Sequence, residues 1–169
     1  MSGERANLKR IKKMCGGSAP DMLDHIFVTW ESDIDQALMP AMDSNTTRIP
    51  NIPLKAAVGN EPAGKWERWE VARTDNSYDA GRKDSGYAPK FEYFIEKMDE
   101  VKSFILSKAR CEKLAVVGID NNGKMHYMSN ADIHYDESTK GKNGYKIEFT
   151  CGPRPDPLPF VTGDFPTNP

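Results

Sequence analysis

The chain lacks both the cysteine pattern of a disulfide-stapled domain and any apolar run long enough to cross a membrane. Its three cysteines, Cys15, Cys111 and Cys151, are scattered over 169 residues, and none belongs to a CxxC pair. An odd number of free thiols is typical of a protein that folds in a reducing cytoplasm. No apolar run approaches the roughly 18 residues of a membrane helix, and the first residues do not form the apolar core of a signal peptide. We therefore expect a soluble protein, made in the cytoplasm, with no membrane partner.

Net charge and apolar content are also low. The formal net charge is −2, only 38 % of the residues are hydrophobic, and the mean hydropathy is −0.66. A nearly neutral chain lacks the general affinity for phosphates that a strongly basic domain has. A single domain of this length can still bury roughly 70 % of its unfolded surface. The apolar residues are concentrated in residues 64–151, whereas 29–65 and 152–169 are rich in Pro, Asn, Asp and Thr.

A complete catalytic motif is absent as well. Residues 59–65 have the spacing of a phosphate-binding loop, but Trp66 stands where the motif needs a Ser or Thr to hold magnesium. A strand-like sequence follows, where the motif requires a helix N-terminus. Cys111 lies at the end of a predicted helix, so the helix dipole does not activate its thiol. We expect no enzymatic activity and no cofactor.

Four side chains of metal-binding type lie close together in the sequence, at His126, Asp132, His134 and Asp136. Imidazoles with nearby carboxylates are capable of binding metals. Their alternation with apolar residues is equally typical of the solvent side of a half-buried strand. We expect no metal, and we keep a small metal-dependent enzyme that uses His126 and His134 as an alternative.

Runs of aromatic and β-branched residues predict strands along most of the chain. They lie at 66–73, 87–96, 114–119, 125–135 and 145–151, after a first strand at 25–30 and a brief one at 54–58. Residues 98–110 predict the single helix, because Met98, Val101, Ile105 and Ala109 recur at helical spacing. The fold class is therefore mainly β (α+β), with one α-helix.

Local signals also predict how the strands connect. Residues 66–73 and 87–96 are expected to form a hairpin whose long polar tip, 74–85, projects from the domain. The sequence Asp-Asn-Asn-Gly at 120–123 predicts a tight turn, because Asn and Gly tolerate positive φ. Ser129-Asn130 predicts a bend or bulge.

The predicted core is centred on residues 114–119, which are apolar on both faces and should form the most buried strand. Val101 and Ile105 of the helix are expected to pack over this sheet. The last strand alternates between apolar and polar residues, which predicts one buried face.

The composition divides the chain into three parts. Residues 1–14 form a basic N-terminal arm, residues 15–151 a single β-rich domain, and residues 152–169 a Pro-rich extended strap. Proline at alternate positions in 153–159 excludes a helix and favours an extended chain. Neither end can form a core alone, so we expect both ends to dock on neighbouring subunits.

The order of these elements resembles that of the major tail tube proteins of long-tailed bacteriophages. The matching features are Cys-Gly-Gly at 15–17, a long irregular insertion ending near Gly59, a strand pair, one helix, the turn at 120–123 and the final strand at 144–150. The resemblance covers residues 15–151 and concerns the order of elements. The arm and the strap depart from the simplest members.

The resemblance implies an antiparallel β-sandwich or half-barrel with one flanking α-helix. It implies that six copies close a ring, that rings stack into a tube, and that DNA passes through the lumen without sequence-specific binding. The partners would be further copies and other tail proteins, in a virion tail made in the host bacterial cytoplasm. The candidate inter-subunit contacts are Tyr78, Asp79, Arg82 and Lys83 in the tip, Leu8 and Ile11 in the arm, and Leu158, Phe160 and Phe165 in the strap.

Two alternatives stay open beside the metal-dependent enzyme. A related ring protein, such as a tail terminator or connector, would share the same element order. A small nucleic-acid-binding β-barrel would instead use the cations of the arm, Arg5, Lys9, Arg10, Lys12 and Lys13.

Overall fold

The computed structural model describes residues 22–43, 47–73, 75–138, 143–163 and 165. Its strands are β1 Met22–Trp30, β2 Arg48–Ile49, β3 Glu67–Glu70, β4 Ser77–Asp79, β5 Arg82–Lys83, β6 Gly86–Tyr87, β7 Lys90–Glu96, β8 Leu114–Asp120, β9 Met125–Ser138, β10 Gly144–Thr150 and β11 Phe160–Val161. The α-helix is α1, Glu100–Ala109, and two 3₁₀ turns span Glu31–Asp33 and Gln36–Leu38. The predicted fold class, a mainly β protein with one flanking helix, is confirmed.

The main sheet has the strand order β3-β1-β8-β9-β10-β7-β4, and each neighbouring pair is antiparallel. The short strand β11 pairs with the first residues of β9 and, in parallel, with β2. The arm 1–14, with Leu8 and Ile11, lies outside the described residues.

The long strand β9 belongs to two parts of the sheet. Its first half, up to Ala131, pairs with β8, and its second half, from Asp132, pairs with β10. The register of β9 against β8 shifts between Met128 and Ala131, and Asn130 has a φ of 51°. This is the predicted bend at Ser129-Asn130, and it is confirmed. An extra residue in one strand increases the local twist, so β9 turns a corner and folds the sheet over its own core.

The strand β8 is buried along its entire length, as its sequence predicts. On one side its residues join a core shared with β7 and β10, and on the other side a second core shared with residues 34–66. A Cβ at Gly118 would lie 2.6 Å from the Tyr93 hydroxyl oxygen of β7. Only glycine therefore fits where the two parts of the sheet face each other.

The turn at 120–123 also forms as predicted. The Asp120 carboxylate accepts hydrogen bonds from the backbone N–H groups of Asn122 and Lys124, at 2.9 and 3.0 Å. Gly123 has a φ of 76°. The side chain of Asp120 thus stabilises the tight connection between β8 and β9.

The predicted hairpin between 66–73 and 87–96 is wrong. β3 pairs with β1, opposite Ile26, whereas β7 pairs with β10 along its full length. The inward residues of β7 and β10 match in register, for example Phe91 opposite Phe149, so burial of the shared core selects this pairing. The brief strand predicted at 54–58 is also absent, because Leu54 and Val58 form only isolated bridges.

The helix forms where it is predicted but faces the core with a different side. Leu106 and Ala109 are buried, whereas Val101 and Ile105 are 67 % and 43 % exposed. The prediction that Val101 and Ile105 pack over the sheet is therefore wrong. The Tyr145 hydroxyl of β10 donates to the Asp99 carbonyl at 3.1 Å and also bonds to Ser103. These polar contacts orient the helix, so its second apolar side faces outward.

Candidate assembly surfaces

One face of the β4-β7-β10-β9 part of the sheet is charged, because its strands alternate. Phe91, Tyr93, Tyr145, Ile147 and Phe149 point into the core and are each 0 % exposed. The alternate residues point outward and form what we call the charged face: Ser77, Asp79, Lys90, Glu92, Asp132, His134, Asp136, Lys146 and Glu148. Five of these are carboxylates and two are lysines, and Lys113 and Arg110 lie beside them, so the face has a small excess of negative charge.

The register places these side chains in rows across four strands. His134 lies opposite Glu148, and Glu148 opposite Glu92. The Lys90 ammonium lies 2.9 Å from the Glu92 carboxylate, and that hydrogen bond lowers the pKa of Glu92. Lys113 lies 2.6 Å from Asp132. Arg110 lines the same surface as His134, Asp136, Lys146 and Glu148, so the carboxylates of the face exceed the cations only slightly.

The main sheet ends at β3 on one side and at β4 on the other. Within the described residues, β3 pairs only with β1 and β4 only with β7. The Val71 N–H donates to the Asp24 carbonyl, so by the alternation of an antiparallel ladder the N–H of Glu70 points away from β1. Unpaired strand edges of this kind are templates for pairing with another chain.

The outward side of α1 is a further exposed surface, which we call the helix face. Val101, Phe104 and Ile105 are 67 %, 62 % and 43 % exposed, and the Lys108 ammonium lies over the Phe104 ring. Between α1 and the β3 edge runs a groove of about 860 Å³, whose apolar lining includes Trp30 and Trp69. An apolar patch beside an open strand edge is typical of an interaction surface.

The predicted tip does not project as one loop. Tyr78 packs edge-on against Phe91 and His126, with ring centroids 5.2 and 4.7 Å apart. Burial of this ring is the main cause that raises the pKa of Tyr78. The assignment of Tyr78 to an exposed tip is therefore wrong. It belongs to β4, whose pairing with β7 places every second side chain over the core.

The other three residues of the tip are at the surface. The Asp79 carboxylate accepts a hydrogen bond from the Gly81 N–H at 2.8 Å. Arg82 and Lys83 are exposed and form β5, which pairs with β6. Their assignment to contacts between subunits stays a prediction.

The strap docks on its own chain over its described part. Leu158 is 3 % exposed in the core, and Phe160 pairs with His126 as part of β11. Phe165 stacks on Phe27 with ring centroids 4.8 Å apart. The expectation that these residues are free for a neighbouring subunit is corrected. The irregular segment that follows β1 leaves part of the apolar surface over β1 and β8 uncovered. The described part of the strap covers this surface.

The metal-capable residues do not come together. His126 Nε2 lies 3.0 Å from the Asp120 carboxylate, Asp132 pairs with Lys113, and His134 lies on the far half of β9. In the described part of the chain, no three His, Cys, Asp or Glu side chains are grouped to hold a metal ion. Residues 59–65, with the spacing of a phosphate loop, lead into β3 and not into a helix.

Sequence reasoning missed the helix face and the charged face. The helix carries apolar residues on more than one side, at 101, 104 and 105 as well as at 106 and 109. A helix that is apolar on two sides needs two partners, so this excess was the available signal. The charged face needed the strand partners, because only the register joins its residues into rows.

Comparison with protein-family models, with curated proteins and with solved structures found no match to this chain. Within the described residues, none of the helices has the length and apolar character needed to cross a membrane.

Proposed function

We propose that this protein is a virion structural protein that assembles into rings, which stack into the tail tube and conduct DNA. The observation that carries the proposal is the charged face. It is an acidic surface on a continuous antiparallel sheet whose opposite side is core. By the resemblance of the sequence to tail tube proteins, a ring contains six copies.

The acidic face suits the wall of a DNA conduit. Phosphates are repelled by carboxylates, and binding of DNA by proteins depends on cations that replace its counterions. With five carboxylates against Lys90, Lys146, Lys113 and Arg110, the face has no excess of cations for DNA to bind. A lumen lined in this way lets DNA pass without retaining it.

The open edges and the helix face suit contacts between copies. A ring in which sheets join edge to edge leaves no strand edge exposed. Ile105 of the helix face lines the groove beside the β3 edge, so a neighbour that approaches this edge also contacts the helix face. Burying these side chains stabilises an interface by about 25 cal/mol per Å² of apolar area.

The helix face is tested by sedimentation velocity over a range of protein concentrations. We expect the wild type to form rings and longer species, and Phe104→Glu to shift the protein toward monomer. Ser107→Glu is the matched control, because Ser107 is exposed on the same helix outside this face. Equal assembly by Phe104→Glu and the wild type would exclude the helix face from the interface.

The strand edge is tested by Glu70→Pro against Glu70→Ala. Proline removes the N–H that points away from β1, whereas alanine keeps it. We expect assembly to fail only with proline, while circular dichroism shows both variants folded.

A terminator or connector is distinguished by its product, because such a protein forms single rings that do not stack. Wild-type protein that stays monomeric at every concentration would contradict the proposal.

A further inference from the structure

A cleft of about 550 Å³ lies between the 3₁₀ turns and the first half of β9, away from the charged face. Its apolar lining consists of Ile34, Met39 and Ile49. The polar lining residues are Glu31, Ser32, Gln36, Lys55, Tyr127, Ser129 and Asn130. The cleft therefore offers an aliphatic floor beside several hydrogen-bonding groups.

Tyr127 is the first unusual group of this cleft. The residue is only 4 % exposed, and its hydroxyl has no hydrogen-bond partner in the described part of the chain. Its backbone is fixed, because its N–H donates to the Pro159 carbonyl at 3.0 Å. Buried polar groups almost always have partners, so an exception requires an explanation. A bound ligand is one source of the missing partner.

Glu31 is the second unusual group of this cleft. Its carboxylate accepts hydrogen bonds from the Gln36 side-chain amide at 3.2 Å and from the Asn130 N–H at 3.1 Å. Both donors are neutral, and none of the ion pairs among the described residues includes Glu31. Desolvation is the main cause that raises the pKa of this carboxyl. A partly buried carboxylate without a cation is stabilised by any cation that reaches it.

The two groups line the same cleft. Burial is the main cause that raises the pKa of Tyr127, and the Glu31 charge is the second cause. The β-bulge of β9 supports this arrangement, because Asn130, with its φ of 51°, directs its N–H to Glu31. Bulges are frequent beside sites, where they re-aim a side chain or a backbone group.

We propose that this cleft binds a primary ammonium group carried on a short aliphatic chain. The ammonium has three donors and a positive charge, and it donates to the Glu31 carboxylate and to the Tyr127 hydroxyl oxygen. The aliphatic chain lies against Ile34, Met39 and Ile49. The proposal does not depend on ring assembly.

Lys55 is the one cation of the lining, and its side chain is exposed. It opposes a bound ammonium, so it weakens binding of this ligand but would strengthen binding of an anion. The sign of its effect therefore tests the class of ligand.

The probe is 1,5-diaminopentane, titrated into the full chain and followed by protein NMR shifts. We expect saturable binding that perturbs Tyr127 and Asn130. The neutral probe 1-pentanol and the anion pentanoate should bind about tenfold more weakly, because they lose a charge-assisted hydrogen bond. Binding of pentanoate in preference to the diamine would overturn the proposal.

Substitutions then locate the site. Tyr127→Phe should weaken diamine binding about tenfold, and Lys55→Ala should strengthen it. Tyr93→Phe is the matched control, because Tyr93 also has a buried hydroxyl with no partner among the described residues, but in the other core. A purely structural role for Tyr127 would leave binding unchanged in Tyr127→Phe. That result, or weaker binding in Lys55→Ala, would contradict the proposal.

The ammonium group has two possible sources, a free amine or a lysine side chain of the arm 1–14. A full-chain variant with Lys9, Lys12 and Lys13 each replaced by Gln separates them. Tighter diamine binding in this variant would show that an arm lysine competes for the cleft, and equal binding would identify a free amine as the ligand. Loss of diamine binding would place the probe on the arm and overturn the proposal.

Discussion

The two parts of the sheet on either side of the corner in β9 differ in how many of their faces the chain covers. β8 is buried on both faces, between two separate cores. β10 is buried on one face only, and Lys146 and Glu148 of its other face belong to the charged face. A sheet face that the chain leaves uncovered and charged is available for function. We therefore propose that the lumen lies on the β10 side.

The largest expected effect on stability lies within β10, whose two faces differ in burial. Phe149→Ala should lower the free energy of unfolding by about 3–5 kcal/mol, because it opens a cavity at a fully buried position. Its neighbour Glu148→Ala should change this free energy by no more than about 0.5 kcal/mol. Urea denaturation of both variants measures the difference. Similar losses in both would show that the charged face is also covered.

The helix α1 also has one buried side and one exposed side. Leu106→Ala should lower the free energy of unfolding by about 2–5 kcal/mol, because Leu106 is 1 % exposed. Ile105→Ala should cost less than about 1 kcal/mol in the monomer, since Ile105 is 43 % exposed. Denaturation at a concentration below assembly provides the measurement. A larger loss for Ile105 would mean that the helix face packs within its own chain.

In β8 the difference in stability loss between neighbouring residues should disappear. Val116 and Val117 are each 0 % exposed but belong to different cores. Replacing either with Ala should lower the free energy of unfolding by about 2 kcal/mol, from two lost methyl groups at about 0.8 kcal/mol each plus a small cavity. Chemical denaturation of both variants should therefore give similar losses. A negligible loss for one of them would indicate a single core.

The smallest expected effect is the pH dependence of stability. Its sign should differ between Glu31 and Glu92. Desolvation raises the pKa of Glu31 above 4.5, so this carboxyl weakens the fold as pH rises through that range. The hydrogen bond from Lys90 lowers the pKa of Glu92, so that stabilisation is present above pH 4.5 and lost as pH falls below it. Each contribution should be below about 1 kcal/mol. Thermal melting of Glu31→Gln and Glu92→Gln across this range should show opposite trends relative to the wild type, and equal trends would contradict the assignment.

Local sequence patterns predicted most of the elements but few of their partners. The run 114–119, the turn at 120–123 and the bend at Ser129-Asn130 depend on residues near in sequence, and all three predictions are confirmed. The pairing of β3 with β1 was not predictable in this way. Many strands of similar pattern compete, and burial of the shared core selects among them.

The candidate surfaces were less predictable than the fold. The polar neighbours of Tyr78 predict a projecting tip, but the register of Tyr78 opposite Phe91 turns its side chain inward. The cleft of Glu31 and Tyr127 joins residues almost a hundred positions apart, through a β-bulge that fixes Asn130. No local pattern carries that information.

The central claim is that copies of this chain close into rings with the charged face toward the lumen. Cryo-electron microscopy of the purified full chain at high concentration tests it most directly. We expect rings or tubes with an open channel, in which Glu92, Asp136 and Glu148 line the wall. Particles that remain monomeric, or rings that carry these carboxylates on their outer surface, would contradict it.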